Sequence, residues 1–268
     1  MTQSDSAVRG RLTGRTALIT GASRGIGAGI AQEYLREGAQ VFLVATDAGR
    51  VAGFAREIEP DGTRVGSYAA DVRDSAQCKA AVTAAIERFG AVDILVNNAG
   101  IYHAGAFVDH TPEQFQHLLD VNLFGVIHMT QAVLPGMRAR RYGRIVNIAS
   151  TAGKAGSRNQ SGYNISKHAV VGLTRCVALE MAGEGVTVNA ICPGFVQTDL
   201  VDGLKREWSA MGVADPERAF QALLDARVPM ARALQPREIA GMAVHLASDE
   251  AGGITGQSIL IDGGMITA

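Results

Sequence analysis

Thr16-Ala17-Leu18-Ile19-Thr20-Gly21-Ala22-Ser23-Arg24-Gly25-Ile26-Gly27 sets out, in order, a strand, a turn and the start of a helix. The apolar run Thr16–Thr20 reads as a short buried strand. Gly21, Gly25 and Gly27 free the backbone to turn tightly and to approach another group closely. Ile30, Ala31, Tyr34 and Leu35 then recur at helical spacing, and Gly38 closes that helix. A turn of this kind presents free backbone N–H groups to an anion such as a pyrophosphate. The chain has 32 glycines, so glycine content alone carries little weight. Their place between strand and helix, with the spacing Gly-x-x-x-Gly-x-Gly, is what points to a nucleotide-binding turn.

The same alternation continues downstream. Val41–Val44 is a second strand, and a helix covers about 48–58. The strand Arg64–Ala69 ends at Asp71, a helix spans about 75–89, and the strand Val92–Val96 ends in Asn97-Asn98-Ala99-Gly100. Thr111-Pro112-Glu113 supplies an N-cap and a first-turn proline for a long helix to about Met137. Arg144–Ala149 is a strand stopping at Ser150, a helix runs from 161 to about Ala182, and Val186–Ile191 is the sixth strand. Residues 195–230 break the rhythm with one or two helices, Pro236 starts another to about Ala247, and Ser258–Ile261 closes the pattern. Strands alternating with helices predict an α/β fold: a doubly wound parallel sheet of about seven strands, with helices on both faces and right-handed crossovers. No repeat or linker interrupts residues 1–268, which read as one domain with a loose arm at 1–13.

Composition narrows the function. Hydrophobic residues make up 47% and charged residues 19% of 268, which suits a soluble globular chain with a substantial core. A formal net charge of -1 argues against a nucleic-acid footprint or a polybasic membrane surface. Cys78, Cys176 and Cys192 are odd in number and far apart in mostly apolar settings, which predicts buried reduced thiols and a cytoplasmic location. The N-terminus lacks a signal-peptide pattern, and no apolar run approaches the roughly 18–20 residues of a membrane span. His110, His117, His128, His168 and His245 lack metal-ligand spacing to cysteines or carboxylates, so no metal is expected.

The chemistry-bearing stretch is Ser161-Gly162-Tyr163-Asn164-Ile165-Ser166-Lys167-His168. Tyr163 and Lys167, four apart on a helix, share a face. A phenol titrates at about pH 10 and is a poor acid or base at neutrality. A fixed ammonium beside it draws that value down towards the working range.

Thr20-Gly21-Ala22-Ser23-Arg24-Gly25-Ile26-Gly27, Asn97-Asn98-Ala99-Gly100, Ser150, Tyr163-Asn164-Ile165-Ser166-Lys167 and Pro193-Gly194 occur in the order and spacing of the short-chain dehydrogenase/reductase family, which the chain resembles from about residue 12 onward. The resemblance implies a Rossmann-type domain and a nicotinamide-dependent oxidoreductase, usually tetrameric. It places the dinucleotide against Gly21, Ser23, Arg24, Gly25, Ile26 and Gly27 of the turn, Ala45 and Thr46 after the second strand, and Asp71 and Val72 after the third. Asn98, Ala99 and Gly100, Tyr163 and Lys167, and Pro193, Gly194, Val196 and Thr198 complete that set, with Asn97 holding the central sheet. Asp71 resembles the adenine-contacting aspartate; its other reading is a helix N-cap. The acid that takes the ribose hydroxyls in NAD enzymes is replaced by Ala45, and Arg24, with help from Arg50, faces a 2′-phosphate, so NADP(H) is expected over NAD(H). Asp47 would oppose this if it pointed inward.

The catalytic set implied by the resemblance is Asn122, Ser150, Tyr163 and Lys167. Tyr163 passes a proton, Ser150 bonds the substrate oxygen, Lys167 depresses the Tyr163 pKa and bonds the ribose, and Asn122 holds a relay water. Tyr102, His103, Gln160 and Phe195 are the expected substrate contacts, and residues 195–230 a lid walled by Trp208, Met211 and Phe220. Ala45-Thr46 is similar to β-ketoacyl-carrier-protein reductases, and Ile148–Lys154 with Arg227–Met230 to polyketide ketoreductases. These imply a small or acyl-carrier-bound carbonyl substrate. Hydroxybutyrate dehydrogenases are similar at Asn189–Gly194, but their carboxylate-binding charges are replaced by Ala152 and Gln160. NAD-dependent oxidation of a polyol, cyclic alcohol or hydroxy acid is the alternative, and a silent cofactor sensor or scaffold the reading from another class. The helices at 111–137 and 161–182, with the Asp262-Gly263-Gly264-Met265 tail, resemble family tetramer interfaces.

Overall fold

In the computed structural model, which describes residues 10–210 and 212–267, β1 (Thr16–Thr20) is buried along its whole length. A parallel strand covered on both faces reads as an unbroken apolar run, which is why this one is legible. The other strands are β2 (Gln40–Ala45), β3 (Val65–Ala69), β4 (Ile94–Asn97), β5 (Gly143–Ile148), β6 (Val186–Pro193) and β7 (Ser258–Ile261). The helices are α1 (Gly25–Arg36), α2 (Ala48–Ile58), α3 (Ser75–Phe89), α4 (Pro112–Leu119), α5 (Gly125–Arg140), α6 (Ser161–Met181), α7 (Asp199–Ala210), α8 (Pro216–Arg227) and α9 (Pro236–Ala247). The strands form one parallel sheet in the order β3-β2-β1-β4-β5-β6-β7, as a doubly wound Rossmann-type fold requires. Strand order reverses between β1 and β4, which opens a crevice at their carboxyl ends.

Helices cover both faces. Ile30, Tyr34 and Leu35 of α1 pack with Ile239, Val244 and Leu246 of α9 on one side. The fully buried Tyr34 donates its hydroxyl to the Ala243 carbonyl at 2.9 Å, so its one polar atom is satisfied inside that core. On the other side Cys78 and Ala81 of α3 meet Met129, Val133 and Met137 of α5 beneath β1, β4 and β5. Each fully buried side chain of this size stabilises the fold by roughly 1.5–3 kcal/mol.

Four expectations are corrected. The arm at 1–13 is not loose over its described part: Leu12 is fully buried, and Arg11 pairs with Glu37 at 2.5 Å. The long helix to Met137 is broken: α4 ends at Leu119, Asp120–Phe124 forms a π-helical turn, and α5 follows. Its start is as expected, with Thr111 and Gln114 making a reciprocal capping box. Taken together, Pro112–Arg140 is long and apolar enough by composition to cross a membrane, although Leu118, Val126, Met129, Val133 and Met137 are buried within this fold. Cys78 and Cys192 are buried, whereas Cys176 lies on the exposed side of α6.

The fourth concerns the lid. Residues 195–230 hold two helices, α7 and α8, the second capped by Asp215. Trp208 and Phe220 pack on each other at 6.5 Å, and Phe220 meets Phe195 at 5.7 Å. With Val201, Leu224 and Val228 they build a small core of their own, so Trp208 and Phe220 do not wall the crevice. Two amphipathic helices bury their apolar faces against each other first. Met211 lies outside the described residues.

Candidate active site

The crevice is a cavity of about 850 Å³, which reaches from the ends of β2 and β3 across β1 and β4 to β5 and α6. At its centre the glycine turn is laced to the end of β4. Asn98 Nδ2 donates to the carbonyls of Thr20 and Gly21, both at 3.0 Å. Gly21 has φ +61°, and a Cβ there would sit 2.8 Å from Ala99 Cα. A Cβ on Gly27 would lie 2.5 Å from both Asn98 Nδ2 and the Gly21 carbonyl. Gly27 is therefore a packing glycine rather than a cavity wall, and Gly21 and Gly25 face the cavity.

The N-terminus of α1 opens into this space. Arg24 is its N-cap and makes no side-chain cap bond, and the first turn holds no acidic residue. Helix termini leave N–H groups in need of acceptors, so the residues present fit an anion such as a dinucleotide pyrophosphate. Ser23, Ile26, Asn98, Ala99 and Gly100 line the same wall.

At the outer end Ala45, Thr46, Asp71 and Val72 line the cavity as the sequence suggests. Asp47 does not point inward: its Oδ1 accepts the Arg50 N–H at 2.9 Å and caps α2, and Arg50 lies 3.9 Å from the same carboxylate. Arg24 Nη1 is 3.0 Å from Asp199 Oδ2 at the start of α7. Asp71 does not cap α3, because Asp74 does so through the N–H groups of Ala76 and Gln77. Asp71 instead pairs with Arg73 at 2.5 Å, and that guanidinium holds its carboxyl below the usual carboxylate range. Arg73 and His117 also line this end and were missed, although the cation two positions past the strand-end acid stood in plain view.

The deep end brings together Ser150, Tyr163 and Lys167, with Pro193, Gly194, Val196 and Thr198 beside them. Ser150 hydrogen-bonds the Tyr163 hydroxyl, which favours the phenolate, and its Oγ accepts the Ala152 N–H at 3.1 Å. Burial outweighs that bond and pushes Tyr163 up to about 12. Lys167 is buried, and the loss of water lowers it to about 8. Its Nζ donates to the Ile148 carbonyl at 2.9 Å and lies 5.7 Å from the centre of the Tyr163 ring. The spacing brings the two side chains together at their bases, but the ammonium bends to the end of β5. Tyr163 is thus held above its ordinary value by burial, contrary to the depression expected from Lys167.

Asn122 is fully buried in the π turn, and such turns recur at functional sites. Its Oδ1 accepts the Ile101 N–H at 2.8 Å, and its Nδ2 donates to the Ile101 carbonyl and to Ser166 Oγ, both at 3.0 Å. Its amide thus ties the loop after β4 to α6. Asn97 is buried behind the crevice, where it donates to Asn147 at 2.9 Å and Thr130 at 3.2 Å and ties β4 to β5 and α5.

Tyr102 and Phe195 line the cavity, and the Tyr102 ring stands edge-on to Tyr163 at 5.1 Å. His103 and Gln160 are not brought to its wall: His103 is exposed against His110, at 5.0 Å between rings, and Gln160 begins α6. Leu200, Val201, Leu204 and Arg206 of α7 line it instead. Among the described residues no group of three or more His, Cys, Asp or Glu could hold a metal ion.

A family model described as enoyl-(acyl carrier protein) reductase matches residues 21–266. A putative ketoacyl reductase of the granaticin polyketide synthase, from Streptomyces violaceoruber, is 41% identical over 266 residues, covering 98% of this chain and 97% of the relative. Oxidoreductase UcpA of Salmonella typhimurium is 43% identical over 256 residues, covering 95% of each chain. A crystal structure of an actinorhodin polyketide ketoreductase variant with NADPH superposes with a TM-score of 0.89 at 40% identity, covering 94% of this chain and 97% of that one. With these matches and a nucleotide crevice leading to Ser150, Tyr163 and Lys167, the chain belongs to the short-chain dehydrogenase/reductase family.

Proposed function

We propose that this protein is an NADP(H)-dependent ketoreductase that interconverts a ketone and a secondary alcohol. One observation carries the reading: Ser150, Tyr163 and Lys167 converge at the deep end of a cavity whose middle is the uncapped N-terminus of α1. The polyketide ketoreductases among its relatives, one of them solved with NADPH, support both the reaction and the cofactor. Residues 21–27 would hold the pyrophosphate, and Arg24 and Thr46 the adenosine 2′-phosphate. NADPH would supply the hydride.

The chain's own groups manage the oxygen. Ser150 donates a hydrogen bond to the substrate oxygen as negative charge gathers there. Tyr163 transfers its proton to that oxygen, giving the alcohol, and takes it back in the oxidative direction. Lys167 would hold the nicotinamide ribose, and its ammonium would lend the positive charge that lowers the Tyr163 pKa. Phe195, Leu200 and Leu204 give the substrate end an apolar wall, and α7 with α8 forms the lid over it.

Replacing Tyr163 with Phe removes the proton donor and lowers kcat by roughly 10²–10⁴-fold. The measurement is NADPH oxidation with β-ketoesters, carrier-type β-ketothioesters, diketones and cyclic ketones. An α,β-unsaturated thioester in the same panel separates carbonyl from alkene reduction. Near-normal turnover in Tyr163→Phe would sink the assignment. We further propose a homotetramer, supported by Phe124, Ile165 and Leu179, which expose apolar side chains on the π turn and α6. The three free thiols accord with a cytoplasmic setting.

A further inference from the structure

Ser166 is fully buried in the first turns of α6, and its hydroxyl makes two bonds. Its Oγ donates to the Tyr163 carbonyl at 2.7 Å and accepts from Asn122 Nδ2 at 3.0 Å. The remaining bonds of the Asn122 amide go to a single residue, Ile101, at both its N–H and its carbonyl. An asparagine amide offers two N–H donors and one carbonyl acceptor. Both donors and one lone pair of the acceptor are in use, so the loop after β4 and α6 are tied together through the Asn122 amide of the π turn.

That junction is aimed at the chemistry. A residue pinned at both its N–H and its carbonyl cannot rotate its backbone, and Tyr102 follows Ile101 directly. The Tyr102 ring stands edge-on to Tyr163 at 5.1 Å, and both rings line the cavity. On its other side α6 has no slack: a Cβ on Gly162 would lie 2.7 Å from Leu118 Cδ1 and 3.3 Å from Phe115. Loss of the Ser166 bonds therefore loosens the Ile101–Tyr102 loop, not the helix. Nor does the helix need this hydroxyl, since the Tyr163 carbonyl also receives its regular bond from the backbone four residues on.

We propose that Ser166 is a positioning residue for the reaction. It holds Asn122, which holds Ile101, and so fixes the Tyr102 ring edge-on against Tyr163. The proposal rests on the ketoreductase reading, in which Tyr163 passes a proton to a carbonyl bound in the cavity that both tyrosines line.

A double-mutant cycle on Ser166→Ala and Tyr102→Ala tests it, read as kcat/KM for a bulky aryl ketone with NADPH. Each single change lowers kcat/KM about tenfold, and the double variant stays within about twofold of the weaker single, because both remove one and the same placement. The Kd for NADPH stays within about twofold of the wild-type value, which a general loosening of the fold would not allow. Ser166→Cys, with a weak donor of similar size, recovers part of the loss and serves if Ser166→Ala folds poorly. Single effects that multiply to about a hundredfold in the double variant would overturn the proposal. An independent arm uses the cofactor-free protein with ring-labelled tyrosine: NOEs between the Tyr102 and Tyr163 rings are present in the wild type and weakened in Ser166→Ala. Unchanged NOEs would also overturn it. If the wild type reduces no ketone, the functional reading falls, and the NOE arm still decides the clamp.

Discussion

Lys167 carries a charge that the folded chain holds only at a cost. Burial lowers its pKa from 10.5 to about 8. Below pH 8 both folded and unfolded chains bind the proton, and the folded state bears the full penalty of a buried ammonium. Between about 8 and 10.5 the unfolded chain binds more protons, so stability rises with pH through that window. Tyr163 acts in the opposite sense higher up. Its pKa is raised from 10.0 to about 12, so the folded phenol keeps its proton longer, and its contribution is lost as pH rises through that range. Lys167→Met removes the buried charge. We expect the cofactor-free variant to be more stable than the wild type at pH 7 by about 3 kcal/mol, because each tenfold loss of proton affinity on folding costs about 1.4 kcal/mol. That gap should close as pH approaches 10.5. Urea denaturation of both proteins at pH 7, 9 and 10 reads it, and a gap constant over that range would refute the burial cost.

At the scale of elements, strand–turn–helix is the unit that decides the site, and Gly27 is where it is tightest. A Cβ there would lie 2.5 Å from the Gly21 carbonyl, which is backbone and cannot step aside. Gly53, in the interior of α2, would meet nothing within 4 Å. The two alanine variants therefore part in sign: Gly27→Ala destabilises by about 1–3 kcal/mol and weakens NADPH binding, whereas Gly53→Ala stabilises by about 0.5–1 kcal/mol. Urea midpoints and NADPH titration check both. Elements of this kind were legible because parallel strands are unbroken apolar runs and glycines mark close approaches. The π turn was not legible: Leu118, Asn122 and Val126 keep a four-residue spacing, and the sequence pattern does not register one widened hydrogen-bonded ring. Nor does an amphipathic pattern name what a helix packs against, so it points Trp208 and Phe220 at the crevice when they face each other. Ser166 sits inside the Tyr163–Lys167 motif, yet its role depends on Ile101 and Asn122, which only the fold brings near.

Across the whole molecule, the crevice joins two walls that Arg24 can serve. Its guanidinium reaches Asp199 at 3.0 Å, a bridge from the glycine turn to the first residue of α7. Both side chains are more than half exposed, so the bridge contributes only about 0–1 kcal/mol. A 2′-phosphate near Thr46 carries more charge than one carboxylate, and of the nearby acids Asp47 is turned into α2 and Asp71 is paired with Arg73. Arg24 can then exchange Asp199 for the phosphate at small cost, and the dinucleotide gains what the lid gives up. We expect Arg24→Ala to raise the Kd for NADPH about tenfold, as one lost charge-assisted contact would, while NADH binding changes little. The wild-type preference for NADPH should itself shrink as salt rises, since the pair is exposed. Fluorescence titration of both cofactors at low and high salt measures this. Equal losses for NADH and NADPH would mean that Arg24 acts through the lid and does not read the phosphate.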